Sequence, residues 1–394
     1  MEQSTRRATV ASIVLGCVVG QSFGRFTFGL LLPAVKEDLK ISYGLVGWLG
    51  TINLAAYLVG SLATSAASLR IPAHRIVKAG ITLAAVGVGV LAIAPSTPVL
   101  LLGMAMAGLG GAASWVPAPV VIASAFPPER RGFAMGMSSA GIGSGIVLAT
   151  AMTAVLRALV DDPGAWRPIW GVEAVVGAVI ALYAIRSLQP VPVTPGKPPS
   201  ISVLRQVPRW WAPTLAYVLF GIGYVMFTVF VVAALERRGF ARSHASQVFA
   251  CLGLGNAIGG MSIGPLSDRI GRRATMVGSF VASGLPCFVV LAGHEPLVSI
   301  TTLVFGMAMS GAAVSIGAYI GDHTRPQDFS AAFGVATVCF GLAQAIGPRL
   351  GGWMVDRYGD FDQVFVVAGT AWLVGAVLAS LSAGPRTTSS ATAD

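Results

Sequence analysis

The chain has 394 residues, of which 55% are hydrophobic and only 11% are charged, and its mean hydropathy is +0.76. A soluble domain cannot bury that much apolar surface, so lipid must surround most of the chain. The net charge of +10 would suit nucleic acid, but the basic residues are scattered in short segments between apolar runs, which is typical of orientation signals in a membrane protein. We therefore expect no nucleic-acid partner.

Twelve apolar runs follow one another along the chain. About 20 apolar residues in a helix cross roughly 30 Å of hydrocarbon, and a helix satisfies its own backbone groups there. The first run follows Arg6 and Arg7, as in a signal peptide, but no A-x-A cleavage pattern comes after it, so we interpret it as an uncleaved helix. The predicted spans are residues 9–34, 44–68, 75–94, 98–125, 132–156, 166–187, 209–234, 243–266, 274–292, 296–320, 329–354 and 362–383.

The segment 189–208 separates the sixth span from the seventh. It holds six prolines, a density that excludes a membrane helix. We interpret residues 1–188 as an N-terminal six-helix bundle, residues 189–208 as a linker, and residues 209–394 as a C-terminal six-helix bundle with a short tail. Of the Lys and Arg residues between spans, sixteen lie on the side of the termini and linker and eight on the other, which predicts that both termini are cytoplasmic.

The two halves repeat with an offset near 199 residues. After the eighth span the chain reads Gly264-Pro-Leu-Ser-Asp-Arg-Ile-Gly-Arg-Arg273, and Arg70 and Ile71 after the second span align with the Arg and Ile of this motif. Leu69 stands where the motif has Asp268. The N-terminal copy of the motif is therefore degraded, whereas the C-terminal copy is intact.

Twelve spans in two halves, with G-x-x-x-D-R-x-G-R-R between the second and third span of a half, resemble the major facilitator superfamily (MFS). The first span also carries Gly24-Arg-Phe-Thr-Phe-Gly-Leu-Leu-Leu-Pro33, which is similar to a poorly characterised, efflux-like bacterial subgroup. The resemblance implies an all-α integral membrane protein with two pseudo-symmetric six-helix bundles that rock about a central site. It further implies a monomer in the bacterial inner membrane.

The motif after the eighth span is predicted to act as a cytoplasmic latch between conformations. Gly264 would permit close helix contact, and Asp268 would either cap the next helix or pair with an arginine. The alternative is a plain orientation signal, which needs positive charge but no aspartate. The predicted latch residues are Gly264, Asp268, Arg269, Gly271, Arg272 and Arg273.

Two arginines lie inside predicted spans and away from the first and last two residues of the span, Arg25 in the first and Arg349 in the eleventh. An arginine at a helix centre costs about 2.5–3.5 kcal/mol on insertion scales, so each should face a cavity or a partner. Both are candidates for binding an organic anion; the alternative for each is a structural arginine that reaches the membrane surface. In the first span Gln21 and Arg25 share a face, next to a stripe of small residues at Ser12, Gly16, Gly20 and Gly24 that predicts helix packing.

Glu173 is an acidic residue well inside a predicted span, and it is a candidate proton carrier. Arg157 or Arg167 could instead neutralise it. Asp322, at the end of the tenth span, is a second candidate.

The resemblance also implies which helices line the substrate cavity. Each polar or aromatic residue on them is either a ligand contact or a helix-packing residue. Together with Gln21, Arg25 and Arg349, the predicted substrate-binding residues are Asn53, Tyr57, Trp115, Tyr217, Tyr224, Asn256, Tyr319 and Gln344.

Several kinds of chemistry lack the residues that they need. The sequence has no P-loop, no metal-ligand cluster, and no histidine in the middle of a span for a Ser–His–Asp set. We therefore expect no enzyme activity, cofactor or metal. The sequence predicts a secondary transporter, with proton-coupled export of a small organic compound as the first expectation. Uptake or exchange of a small organic anion is the alternative, followed by a non-transporting receptor or scaffold.

The asymmetry of the two motif copies gives a first prediction. Asp268→Asn should impair transport much more than Leu69→Asn, because only the C-terminal copy carries a carboxylate that can pair with an arginine. Uptake into vesicles measures both variants, and equal effects would reduce the motif to an orientation signal.

Overall fold

The computed structural model describes residues 2–126, 128–160, 165–193, 199–325 and 328–383. Within these ranges twelve helices are long and apolar enough to cross a membrane, which confirms the predicted number. Their membrane-spanning parts are α1 (Arg6–Leu39), α2 (Tyr43–Ala67), α3 (Ala73–Ala92), α4 (Thr97–Ala125), α5 (Gly136–Leu159), α6 (Trp166–Ser187), α7 (Trp211–Arg237), α8 (Arg242–Ile270), α9 (Arg272–Ala292), α10 (Leu297–Asp322), α11 (Ala331–Tyr358) and α12 (Asp362–Ser380).

Several helices extend beyond or depart from the predicted spans. The helix of α1 begins at Glu2, that of α5 at Pro128 and that of α11 at Phe329. Within α1, the nine residues Val18–Phe26 form a π-helix rather than an α-helix. A short helix, Ile201–Leu204, lies in the linker.

The helix ends follow from local chemistry. Ser42 accepts a hydrogen bond from the backbone N–H of Leu45 and so caps the N-terminus of α2. Gly271 (φ +91°) separates α8 from α9, and Gly359 (φ +83°) ends α11. Both lie in the left-handed region, where a residue with a Cβ atom would be strained.

The helices form two bundles, α1–α6 and α7–α12, that meet along equivalent surfaces. Between the bundles α2 packs on α11, α5 on α8 and α1 on α7. Glycines allow these close approaches: a Cβ atom on Gly47 would lie 3.0 Å from Arg349 Cα, and one on Gly143 would lie 2.8 Å from Ala257 Cα. Because α2 corresponds to α8 and α5 to α11, the pairing has the pseudo-symmetry of the two halves.

The bundles have two faces. We call the face that holds the linker and the segments after α2, α4, α8 and α10 the terminal face, and the other the distal face. Hydrogen bonds between the bundles occur midway along the helices and at the distal face. At the distal face they include Tyr43 and Gly44 with Asp356, and Arg242 with Glu37. In this conformation the bundles are therefore joined by polar contacts at the distal face.

Candidate functional site

The π-helical segment of α1 lies at the centre of the molecule. The backbone N–H of Thr27 reaches the carbonyl of Ser22, five residues back, which is the π pattern. Such segments occur frequently at functional sites. The small-residue stripe packs as predicted: Gly16 meets Ile81 of α3, while Gly20 and Gly24 meet Gly111 and Ala107 of α4. The helix is thereby held tightly against the N-terminal bundle.

Arg25 extends from this segment toward the other bundle. Its Nη2 atom donates hydrogen bonds to Tyr224 Oη of α7 and to Gln344 Oε1 of α11. Tyr224 Oη in turn donates to Gln344 Oε1 at 2.7 Å. The guanidinium carbon lies 5.2 Å from the ring centre of Tyr57 and 5.5 Å from that of Tyr224, which is cation–π range. One cation thus connects α1 and α2 with α7 and α11.

The neighbours of Arg25 are neutral. None of the ion pairs between described residues includes Arg25. The Nε2 atom of Gln344, a fully buried residue, has no hydrogen-bond partner among the described residues. A cation with only neutral acceptors, beside an unused amide donor, favours a bound anion that would supply the missing acceptors. A cleft opens beside Arg25, lined by Phe28, Asn53, Met104, Tyr224 and Thr228 among others.

Two predicted binding residues hold the backbone around this site. Asn53 Nδ2 donates to the carbonyls of Gly24 (2.8 Å) and Met104 (3.0 Å). Gln21 Nε2 donates to the carbonyl of Gly111 at 3.1 Å. Their amide donors are therefore engaged in fixing α1 against α4, where the irregular winding needs support.

The structure brings Arg25, Tyr57, Tyr224 and Gln344 together, with Tyr217 close by, but it does not bring the other predicted binding residues there. Asn256 binds Ser310 Oγ at 2.9 Å, inside the C-terminal bundle. Tyr319 donates to the carbonyl of Pro208 at 2.8 Å and accepts from the backbone of Ala383, at the terminal face. Trp115 packs with an apolar cluster of the N-terminal bundle, and Arg349 lies near the distal face, 5.7 Å from the ring of Trp48.

Glu173 is fully buried in α6. Its Oε1 atom accepts a hydrogen bond from Thr27 Oγ1 at 2.8 Å, and its Oε2 atom has no partner among the described residues. The alternative, neutralisation by Arg157 or Arg167, is not seen: Arg167 pairs with Asp38 at 2.7 Å and Arg157 reaches Ser246. A buried carboxyl group without a cationic partner is therefore placed directly against the end of the π segment.

The motif at 264–273 lies wholly within the C-terminal bundle. α8 continues to Ile270, so Asp268 lies in its last turn and Gly271 takes the N-cap position of α9. The capping expectation for Asp268 is wrong, and its alternative holds: Arg272 pairs with Asp268 at 2.5 Å and with Asp322 of α10 at 3.0 Å. Asp322, the second proton-carrier candidate, is thus held in an exposed ion pair.

Gly264 also departs from expectation. No atom outside its own helix lies within 4 Å of where its Cβ would be, so it makes no close helix contact in this conformation. Arg269 and Arg273 have exposed positions in the same motif.

Sequence analysis missed a second copy of the motif spacing, at the end of α11. Gly352-Trp-Met-Val-Asp356-Arg357-Tyr-Gly359 has the same G-x-x-x-D-R-x-G pattern, and Gly359, like Gly271, has a positive φ. Here the aspartate acts between bundles. Asp356 accepts hydrogen bonds from the backbone N–H groups of Tyr43 (3.0 Å) and Gly44 (2.7 Å).

These N–H groups belong to the first turn of α2, so a carboxylate of one bundle caps a helix of the other. Gly352 makes the approach possible, since a Cβ atom there would lie 2.8 Å from the Tyr43 carbonyl carbon. The spacing of glycine, aspartate and glycine at the helix end was the signal that would have found this site.

A family model described as "Uncharacterised MFS-type transporter YbfB" matches residues 17–380. The chain belongs to this family. A protein of Cupriavidus pinatubonensis described as "Probable 4-methylmuconolactone transporter" is 26% identical over 351 residues, covering 86% of this chain and 80% of the relative. Mouse monocarboxylate transporter 11 is 27% identical over 389 residues, covering 92% and 84%.

A solved structure supports the fold. The bacterial homolog of the human lysosomal transporter Spinster, in its inward-facing and unoccupied conformation, superposes with a TM-score of 0.75 at 15% identity, covering 97% of this chain and 96% of that chain. The MFS-type chain is therefore a multi-pass membrane protein and a secondary transporter of small organic molecules.

The cross-bundle cap gives a prediction for the distal face. Asp356→Asn should weaken the closed distal face, because a neutral amide is a poorer acceptor and interacts less with the helix dipole. In a cysteine-free background, Val229→Cys in the central cleft reports access to a membrane-impermeant maleimide added on either side. We expect Asp356→Asn to raise labelling from the distal side about fivefold, as a loss of roughly 1 kcal/mol implies.

Asp268→Asn is the matched control, since its ion pair lies inside one bundle. If Asp356→Asn left distal labelling unchanged, or if both variants raised it equally, the cap would have no gating role.

Proposed function

We propose that this transporter carries a small organic monocarboxylate by alternating access, with Arg25 as the group that binds the carboxylate. One observation carries the proposal: Arg25 is a membrane-embedded cation whose described partners, Tyr224 and Gln344, are neutral. The relatives' names point the same way, since several are described as monocarboxylate transporters. Of the two modes of transport expected from the sequence, this geometry favours the organic anion.

Binding at Arg25 would also connect the substrate to the movement of the bundles. Tyr224 and Gln344 both belong to the C-terminal bundle, whereas Arg25 belongs to the N-terminal one. A carboxylate that takes the place of these acceptors changes a direct contact between the bundles into one that runs through the substrate. Because the substrate then interacts differently with the two conformations, its binding can shift the equilibrium between them.

Glu173 is our candidate for the proton-coupling residue. It lies against Thr27, two residues beyond Arg25, so a change in its protonation alters a hydrogen bond at the end of the segment that positions the substrate-binding cation. Because Glu173 has no cationic partner among the described residues, its carboxyl group can stay protonated while it is buried. It can then lose the proton when water reaches the site.

Replacement of Arg25 tests the binding role. In proteoliposomes, Arg25→Gln should lower uptake of labelled lactate, pyruvate and benzoate at least tenfold, since the charge-assisted hydrogen bonds to the carboxylate are lost. Arg25→Lys should retain part of it, because the charge stays and the planar fork is lost.

The neutral amides lactamide and benzamide serve as matched substrates that should not be carried. Arg349→Gln, the other membrane arginine, should leave the KM for the acids within about twofold, since its effect is on the distal face rather than on the anion. Equal uptake of acids and amides, or full activity of Arg25→Gln, would refute the proposal.

Replacement of Glu173 tests the coupling role. Glu173→Gln keeps the shape and a hydrogen-bond acceptor for Thr27 but cannot exchange a proton. We expect it to abolish accumulation driven by an imposed pH gradient while exchange of labelled for unlabelled acid continues. Asp322→Asn is the control and should keep the gradient response. If Asp322→Asn abolished the response to the pH gradient and Glu173→Gln kept it, Asp322 would be the proton-coupling residue instead.

A further inference from the structure

Five aromatic rings form a continuous surface beside Arg25. Three come from one face of α7 and two from one face of α11, at helical spacings of three, four and seven residues. We call this surface the aromatic wall; its residues are Tyr217, Phe220, Tyr224, Phe333 and Phe340.

Most neighbouring rings of the aromatic wall lie close to parallel, although Phe220 and Tyr224 are tilted by 44°. Phe340 is at its centre, with its ring centre 4.4 Å from that of Tyr217 at an interplanar angle of 11°. It is 5.2 Å from Phe220 at 29° and 5.9 Å from Tyr224 at 15°. Phe333 extends the wall, 6.1 Å from Tyr217 at 19°. Near-parallel rings at these distances stack face to face, so Phe340 covers the rings of α7.

The aromatic wall faces the cation that we propose to bind the carboxylate. Tyr224 belongs to both, since its ring contacts the wall and its oxygen binds Arg25. Tyr57 of α2 lies against Arg25 from the other bundle. Phe340 and Tyr57 are partly exposed, whereas Tyr217 and Phe220 are only 6% and 5% exposed. Part of the side chain therefore stays accessible at Phe340 and at Tyr57.

The position of Tyr224 indicates which shape of ligand would suit Arg25 and Phe340 together. It places an oxygen attached to a flat ring on the Arg25 guanidinium while the ring lies nearly parallel to Phe340. A ring carboxylate has the same arrangement, with an anionic oxygen group on a planar ring, and its charge makes it the stronger acceptor. A saturated ring of the same size is puckered and cannot make an offset stack. Short aliphatic acids satisfy Arg25 but leave the wall uncovered.

We infer that the preferred substrates are planar ring monocarboxylates, aromatic or conjugated, that stack on the aromatic wall at Phe340 while Arg25 holds the carboxylate. The inference rests on the proposed function, because Arg25 must bind the acid for the wall to select its ring. A substrate must therefore meet two requirements. It needs a carboxylate to bind Arg25 and a planar conjugated ring to stack on the aromatic wall.

The test compares two acids that differ in planarity. Full-length protein in proteoliposomes takes up labelled benzoate, with cyclohexanecarboxylate as the competing acid of the same carbon count. We expect benzoate to have a KM about fivefold or more below the inhibition constant of cyclohexanecarboxylate, in line with the strength of aromatic pairs. Phe340→Leu should reduce this preference to about twofold or less, and Phe340→Tyr should keep it because the ring remains.

Phe329→Leu is the matched control. Phe329 stacks on Phe333 at 5.4 Å but lies outside the aromatic wall, at the start of α11, and this variant should keep the preference. Thermal unfolding in detergent checks that each variant is folded.

The outcomes separate the two proposals. If both acids were carried equally well in an Arg25-dependent way, the planar-ring inference would be wrong and the monocarboxylate proposal would stand. A preference that survived Phe340→Leu would also overturn the inference. If neither acid depended on Arg25, the proposed function would fail as well.

Discussion

A cation inside a membrane needs acceptors, and Arg25 takes its described ones from neutral side chains of the opposite bundle. Insertion of such a residue costs about 2.5–3.5 kcal/mol, so the surrounding structure has to compensate for it. Residues at the centre of the molecule compensate for this cost. Asn53 and Gln21 hold the irregular backbone of α1, while Tyr224 and Gln344 supply the acceptors that Arg25 uses. The contacts between the two bundles at the centre of the molecule therefore include a cation held by neutral acceptors.

The two intact copies of G-x-x-x-D-R-x-G illustrate how one local pattern serves two purposes. In both, a glycine with positive φ ends the helix and an aspartate lies in the last turn. At the terminal face, Asp268 is engaged by Arg272 of its own bundle. At the distal face, Asp356 lies next to the N-terminus of α2 and caps that helix. A cap of this kind contributes about 0.5–2 kcal/mol, which is strong enough to favour one conformation and weak enough to be released.

Hydropathy and proline content were sufficient to predict the twelve helices, because the bilayer imposes length and apolarity on each of them. The small-residue stripe of α1 was also readable, since Gly16, Gly20 and Gly24 must face a neighbour. The direction in which a single polar side chain points from its helix could not be predicted. Asn256 and Tyr319 lie on helices expected to line the cavity, yet they turn toward Ser310 and Pro208, because a polar group inside a bundle takes whichever acceptor packing provides. The G-x-x-x-D-R-x-G spacing marks Asp356 as a candidate, but the partner that its carboxylate takes on the other bundle depends on tertiary contacts.

The π segment of α1 has a consequence for how such a site is inherited. A π turn holds more residues than an α turn. Within this segment Gly20 and Gly24 face α4 while Arg25 faces the other bundle. Loss of one residue between Val18 and Arg25 would leave the helix apolar and long enough to cross the bilayer. It would nevertheless turn everything after the deletion by about 100° about the helix axis. Within this segment the number of residues, as much as their identity, determines whether Arg25 faces the other bundle.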